Sequence, residues 1–163
     1  MNNLRNRGKA FVAPGAKKKD KRLTPDSKKV SYAHINWRQC DIDRIKRISD
    51  SLGDLPKDNT KILRGAIYLA SRKGPQSLYK IIIEDETENL DQTAGIKKRY
   101  SLRAYDKRQV QIVIDKIEDT MKKKLKSNRV LRGGLLLAEQ LKAREFYEAI
   151  KAAEKDSILS RLE

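Results

Sequence analysis

The segments KILRGAIYLA at residues 61–70 and RVLRGGLLLA at residues 129–138 are nearly the same, and they indicate how the whole chain is organised. The second follows the first at a shift of 68 residues, with leucine, arginine and glycine at matching positions. At the same shift, Tyr32 corresponds to Tyr100. Because the elements around both segments also follow in the same order, the sequence predicts an internal duplication.

Each copy begins with a short stretch in which polar and apolar residues alternate, a pattern typical of a β-strand. The stretch spans 30–38 in the first copy and 99–105 in the second. One face of the two strands would carry Ala33, Ile35 and Trp37, with Tyr100, Leu102 and Ala104; the other would carry Tyr32, His34, Asn36 and Arg38, with Ser101, Arg103 and Tyr105.

Two amphipathic helices follow the first strand. Apolar residues recur at intervals of three and four between 42 and 52, and the glycine and proline of 53–56 end this helix. The next helix, for which Asp58 or Asn59 provides the cap, is predicted to stop at 74–75, a glycine-proline pair.

The second copy has the same order with different end signals. Asp106 and Gln109 have the spacing of a capping box at the start of its first helix. Ser127 is a suitable cap for its second helix. Since neither glycine nor proline follows Gly134, this last helix is predicted to run on almost to Leu162.

A strand and two helices in about 40 residues cannot bury a core of their own. We therefore expect the two copies to pair their strands in an antiparallel ribbon and to interlock their helices. Gly65, Gly133 and Gly134 lie inside the second helices, where glycine costs about 1 kcal/mol relative to alanine. Close approach of the two second helices would explain these glycines, and so would a kink.

The charge of the chain points to a polyanionic partner. Its 163 residues carry a formal net charge of +16, and 1–29 hold ten basic and two acidic residues without any apolar period. This segment is predicted to be a disordered basic arm. Nucleic acid is the first candidate for the partner, and an anionic membrane surface is the second.

Several other classes of protein are disfavoured. Cys40 is the only cysteine, so no intramolecular disulfide can form, and no signal peptide or membrane span is recognisable. We therefore expect a cytoplasmic protein. His34 and Cys40 are too few soft ligands for a metal site, and no phosphate-binding glycine loop or buried carboxylate pair stands out. The sequence thus predicts no enzyme, no metal and no cofactor.

The order of strand, helix and capped helix resembles the ribbon-helix-helix family of DNA-binding proteins, which includes the Arc and MetJ repressors. The segments 62–66 and 130–134 are similar to that family's second helix. The resemblance covers 30–70 and 97–138, and the tandem form resembles plasmid conjugation regulators such as TraY. It implies a mainly α fold with a short antiparallel β-ribbon, two ribbon-helix-helix units in one chain and a long C-terminal helix.

The domains expected on this basis form one continuous series. They are 1–29, a disordered basic arm; 30–74, the first unit; 75–96, a connector of unassigned structure; 97–142, the second unit; and 143–163, the C-terminal helix. The C-terminal helix is expected either to pack on the body of the protein or to contact a second copy or a partner protein.

The resemblance implies that the ribbon lies in the major groove of DNA and that the N-termini of the second helices bind phosphates. The residues implied to contact bases are His34, Asn36, Arg38, Ser101, Arg103 and Tyr105. Those implied to contact phosphates are Asn59, Thr60, Lys61, Ser127, Asn128 and Arg129. Since the two copies differ at every base-contacting position, we expect an asymmetric target.

The expected function is sequence-specific regulation of transcription on double-stranded DNA, on a plasmid or other mobile element. One alternative is an accessory DNA-binding protein of plasmid transfer or partition. Another is a basic RNA-binding or ribosome-associated protein; if the strand register is reversed, its base-stacking side chains would be Tyr32, Trp37, Tyr100 and Tyr105. A third is a structural protein whose charge serves only solubility.

Overall fold

The computed structural model describes residues 30–55 and 57–162, so the predicted basic arm of 1–29 lies outside the described residues. The expectation of a mainly helical fold with an antiparallel two-stranded ribbon is confirmed. The elements are β1 Val30–Trp37, α1 Gln39–Leu52, α2 Asn59–Arg72, α3 Pro75–Glu88, β2 Ile96–Arg103, α4 Ala104–Met121, α5 Ser127–Gln140, α6 Ala143–Leu159 and a short 3₁₀ turn, Ser160–Leu162.

The ends of α1 and α2 agree with the sequence signals. Gly53 ends α1 with a φ of 58°, in the region that glycine enters without steric cost. Asp58 is the N-cap of α2, and its side chain accepts a hydrogen bond of 2.8 Å from the backbone N–H of Lys61. The glycine stop and the aspartate cap predict these helix ends correctly because each depends only on neighbouring residues.

The start of the second copy differs from the prediction. Strand β2 covers Ile96–Arg103, and α4 begins directly after it at Ala104. Asp106 is therefore not the cap but the third residue of the helix, where it accepts a hydrogen bond of 2.9 Å from the backbone N–H of Arg103. The N-cap of α5 is likewise Lys126, and Ser127 is its first residue.

A third helix completes each half of the molecule. The range 75–96, predicted to be a connector, contains α3, with Pro75 pre-organised in its first turn. The continuous last helix does not form, because Leu141 has extended backbone and separates α5 from α6. Helix α6 then corresponds to α3 at the same shift of 68 residues.

The ribbon has one inner and one outer face, with Tyr32 opposite Ser101, His34 opposite Arg99 and Asn36 opposite Lys97. The predicted inner side chains are buried: Ile35, Trp37, Tyr100 and Leu102. Within this face the indole Nε1 of Trp37 donates a hydrogen bond of 2.9 Å to the Tyr100 hydroxyl. The predicted facing of these residues is confirmed.

The two halves share one core, in which α2 crosses α5. A Cβ atom added at Gly134 would collide with the backbone carbonyl oxygen of Ala66. One added at Gly65 would come within 2.8 Å of Ile150 on α6, and one at Gly133 within 2.8 Å of Leu78 on α3. Close approach therefore explains these glycines, and each third helix covers the second helix of the other half.

No helix among residues 30–55 and 57–162 has the length and hydropathy to cross a membrane.

Candidate nucleic-acid interface

Polar, basic and aromatic side chains lie on the solvent-facing side of the ribbon. We call it the outer face; it consists of Tyr32, His34, Asn36, Lys97, Arg99 and Ser101. All are exposed except Ser101, which is half-buried. The predicted positions of His34, Asn36 and Ser101 on this face are confirmed, whereas Lys97 and Arg99 were not predicted to lie there.

Arg99 is held over an aromatic ring on this face. Its guanidinium carbon lies 3.7 Å from the centroid of the Tyr32 ring, and Tyr32 itself is 57% exposed. A cation–π contact of this kind stabilises a pair by about 0.5–1 kcal/mol at an exposed site. Since the N–H donors of a stacked guanidinium point outward in its own plane, they remain available to a ligand.

Arg38 does not lie on the outer face, contrary to prediction. It is the N-cap of α1, and the residue is only 4% exposed. It donates to Asp41 at 2.7 Å and to Asp85 of α3 at 2.5 Å. Arg38 is therefore a structural residue, because ion pairs inside the protein occupy the donors that base contacts would need.

Asp41 is the centre of this network and is fully buried. The Arg132 Nε atom of α5 lies 3.3 Å from its Oδ1 atom, so the contact joins the two halves. Burial disfavours the charged carboxylate, but hydrogen bonds from Arg38 and the charge of Arg132 outweigh it and lower the pKa of Asp41.

The second half contains an equivalent network of ion pairs. Arg103 belongs to it and therefore does not lie on the outer face either. Arg103 is the N-cap of α4 and is 7% exposed. Asp106 lies 3.3 Å from the Nε atom of Arg64, on the first half. Both arginines donate to the same oxygen of Glu154 on α6, each at 3.1 Å. The arginine of each repeated Leu-Arg-Gly segment thus ties its own half to the other.

Tyr105 also lies away from the outer face. It is the second residue of α4 and borders a depression of about 240 Å³ together with Arg72 and Asp156. Partial burial and the charge of Asp156 raise the pKa of its hydroxyl. The alternation of polar and apolar residues misplaced Tyr105 because the strand ends two residues earlier than the pattern does.

The N-terminus of a second helix lies on each side of the ribbon. On the β2 side, Asn59 of α2 borders a depression of about 370 Å³ with Lys98 and Arg99. On the β1 side, Ser127 of α5 borders one of about 330 Å³ with His34. The structure therefore places the two helix ends that were predicted to bind phosphate beside opposite strands.

The other predicted phosphate contacts differ in availability. Asn128 donates through Nδ2 to the backbone oxygen of Asn36 at 3.2 Å, which fixes the start of α5 against β1. Arg129 is half-buried and makes two hydrogen bonds, of 2.6 and 2.8 Å, to Glu86. Thr60 and Lys61 are half-buried, and Lys61 borders a groove along α6. Asn59 and Ser127 are exposed, so they are the most accessible of the predicted phosphate contacts.

A lysine-rich loop next to α5 was not predicted from the sequence as part of the interface. Lys122, Lys123, Lys124 and Lys126 are exposed, while Leu125 between them is 4% exposed and anchors the loop in the core. We call residues 122–126 the lysine loop. The four lysines within five residues were a visible signal, but a charge run alone does not show that a buried leucine fixes it beside a helix N-terminus.

No family model matches this chain, and comparisons with the curated proteins and with the solved structures find no match either.

Proposed function

We propose that this chain binds double-stranded DNA sequence-specifically and regulates transcription, with the outer face of the ribbon in the major groove. The observation that carries the proposal is the outer face itself, a two-stranded ribbon whose solvent side holds two basic residues, an amide, an imidazole and a stacked tyrosine. A two-stranded ribbon fits the major groove, where base edges present distinct donor and acceptor patterns. In this proposal, each half is a ribbon-helix-helix unit that is extended by a third helix.

The side chains of the outer face suit particular bases. Arg99 can donate two hydrogen bonds to the O6 and N7 atoms of guanine, and Asn36 can pair with the N6 and N7 atoms of adenine. Lys97, opposite Asn36 in the ribbon, can also donate to guanine. Because the paired residues of the two strands differ in chemistry, we expect an asymmetric target.

Backbone contacts would come from both sides of the ribbon. The free N–H groups and positive dipole ends of α2 and α5 favour phosphate oxygens, and Asn59 and Ser127 lie at these ends. The lysine loop adds positive charge on the α5 side. Such contacts would supply affinity and fix the register without selecting a sequence.

The burial of the aromatic residues supports a duplex target over single-stranded RNA. Trp37 is 0% and Tyr100 8% exposed, so neither ring is available for stacking on a base. Tyr32 is the exposed ring of the outer face, and Arg99 covers it.

The test is selection of binding sites from random duplex DNA, followed by affinity measurements on single-base variants of the enriched site. We expect Arg99→Ala to lose discrimination of about 1–3 kcal/mol at one base pair. The matched control is Arg144→Ala, which removes an exposed arginine from α6. If wild type enriches no motif and its affinity depends only on salt, the chain is a non-specific polyanion binder and the proposal fails.

A further inference from the structure

An approximate twofold axis relates the two halves of the molecule and passes through the ribbon. Arg38 and Arg103 are the N-caps of equivalent helices, α1 and α4. His34 and Arg99 each lie four residues before these arginines, and they face each other across the ribbon. The surfaces on the two sides of the ribbon can therefore be compared position by position.

The two depressions that flank the ribbon are related by this axis. Eight residues line the depression beside Asn59, and the residues at all eight equivalent positions line the depression beside Ser127. We call the first the α2 depression and the second the α5 depression. Since the fold shapes both alike, a difference in charge between them comes from their side chains.

The α2 depression is the more basic of the two. The positions that carry a cation there and none in the α5 depression are Lys46 in place of Gln111, Lys98 in place of Ala33 and Arg99 in place of His34. The opposite difference occurs once, where Lys107 of the α5 depression corresponds to Ile42. At neutral pH the α2 depression is therefore lined by three positive charges and the α5 depression by one.

The three cations of the α2 depression are available to a ligand. Lys46 of α1, Lys98 and Arg99 are all exposed, and none of them forms an ion pair with a carboxylate in the described part of the chain. Arg99 is stacked on Tyr32, which leaves its N–H donors free.

The carboxylates on neighbouring turns do not neutralise these cations. Asp43 accepts a hydrogen bond of 2.9 Å from Gln39, and Asp50 is exposed without an ion pair to any of the three. Asp58 accepts its hydrogen bond of 2.8 Å from the first turn of α2. Because Asp58 occupies a donor of that helix end, the affinity of the α2 depression for an anion comes mainly from its cations.

We propose that the α2 depression binds a phosphate of the DNA backbone, with Lys46 and Lys98 as its principal ligands. The inference rests on the proposed function: a duplex that holds the ribbon in its major groove has a backbone on each side of it, and the depression borders Arg99 of the outer face. Ammonium groups donate to phosphate oxygens whatever the base sequence.

The two sides of the ribbon consequently hold the DNA backbone with different structures. On one side the ligands come from α1 and β2, through Lys46 and Lys98. On the other side the α5 depression lacks them, and the basic surface next to Ser127 is the lysine loop. A twofold fold thus provides phosphate contacts that are not twofold.

The test exchanges side chains between the two depressions and measures affinity for a duplex of arbitrary sequence across a salt series. Each phosphate contact contributes about one to the slope of log affinity against log salt. Lys46→Gln/Lys98→Ala gives the α2 depression the side chains of its equivalent and should lower the slope by about two. Ala33→Lys/Gln111→Lys should raise it by about two, and Gln111→Lys alone, at an exposed position, by about one. Misfolding cannot produce such a gain.

The matched control is Lys73→Ala/Arg144→Gln, which removes the same net charge at two exposed positions. Lys73 follows the far end of α2, and Arg144 lies just after the far end of α5. The control should leave the slope unchanged. An equal loss in the control, or unchanged slopes in the exchange variants, overturns the inference.

The outcome is separate from that of the proposed function, because a duplex of arbitrary sequence requires no specific site. A chain that enriches no motif and still shows these slopes loses the proposed regulation and keeps the phosphate site. Inorganic phosphate, titrated into the ¹⁵N-labelled chain, tests the other source of the same group. Tight phosphate binding that Lys46→Gln/Lys98→Ala abolishes, together with unchanged DNA slopes, would assign the depression to a free phosphorylated ligand and overturn the inference.

Discussion

The guanidinium of Arg132 on the second half lies 3.3 Å from the buried carboxylate of Asp41 on the first. Arg64 and Asp106 form the reciprocal contact, also at 3.3 Å. A buried charge that loses its partner is costly, because the remaining charge has no water to solvate it. These two contacts therefore make the stability of each half depend on the other.

We predict that Asp41→Asn destabilises the protein by up to about 3–5 kcal/mol, because Arg38 and Arg132 would lose the buried carboxylate that they share. Asp85 and Glu86 would be their remaining counter-charges. The measurement is the urea midpoint and slope. The comparison is Arg47→Ala, which removes a pair in which the arginine side chain is 56% exposed and should cost about 0–1 kcal/mol. Similar losses in the two variants would contradict a buried, water-excluded network.

Stability should also fall in acid. The folded state lowers the pKa of Asp41 from its ordinary value of 3.8, and likewise lowers the pKa of Glu139, which accepts hydrogen bonds from Arg47 and Arg44. A lowered carboxyl pKa stabilises the fold above the unfolded-state pKa, and this stabilisation is lost as pH falls through the folded pKa. Urea midpoints measured from pH 7 downward should therefore drop below about pH 4, and Asp41→Asn should have a shallower acid limb.

Gly134→Ala should destabilise the protein by about 1–3 kcal/mol, although alanine is the better helix former. The added Cβ would collide with the Ala66 carbonyl oxygen on α2, which is backbone and cannot rotate away. Gly95→Ala is the control, since nothing lies within 4 Å of a Cβ there. A higher melting temperature for Gly134→Ala would show that α2 and α5 do not approach so closely.

Lys124→Ala should weaken DNA binding about equally on all sequences and reduce the slope of log affinity against log salt by about one. Lys73→Ala is matched to it, because Lys73 is exposed at the far end of α2, roughly 20 Å along the helix from Asn59. Affinity is measured by fluorescence anisotropy across a salt series. If Lys124→Ala changed sequence preference and left the slope unaltered, the lysine loop would not be a backbone contact.

How far the sequence predicts the fold depends on how local the signals are. The alternation in β1 identified its inner face correctly, because Ile35 and Trp37 are large and buried. The same pattern fails at the start of β2. There Lys98 occupies the inner-facing register position opposite Ile35 and is nonetheless exposed, since a lysine can extend its charged end to water. The strand was consequently placed three residues too late.

The arginines of the candidate site show why burial of charge is hard to predict. Arg38 and Arg103 continue the polar side of each alternating pattern, and arginine is ordinarily a surface residue. Their burial depends on carboxylates contributed by Asp85 of α3 and Glu154 of α6, which are distant in sequence. Only the folded chain brings these groups together, whereas the exposed positions of His34 and Asn36 follow from strand parity alone.

Helix α6 packs over α2 but is synthesised long after it. Gly65 emerges from the ribosome early, but the side chains it packs against, Phe146 and Ile150, are translated some eighty residues later. Until then α2 has an open apolar flank, and Arg64 and Arg103 lack the carboxylate of Glu154. We therefore expect a polypeptide that ends before α6 to expose this apolar flank and to be prone to aggregation and proteolysis.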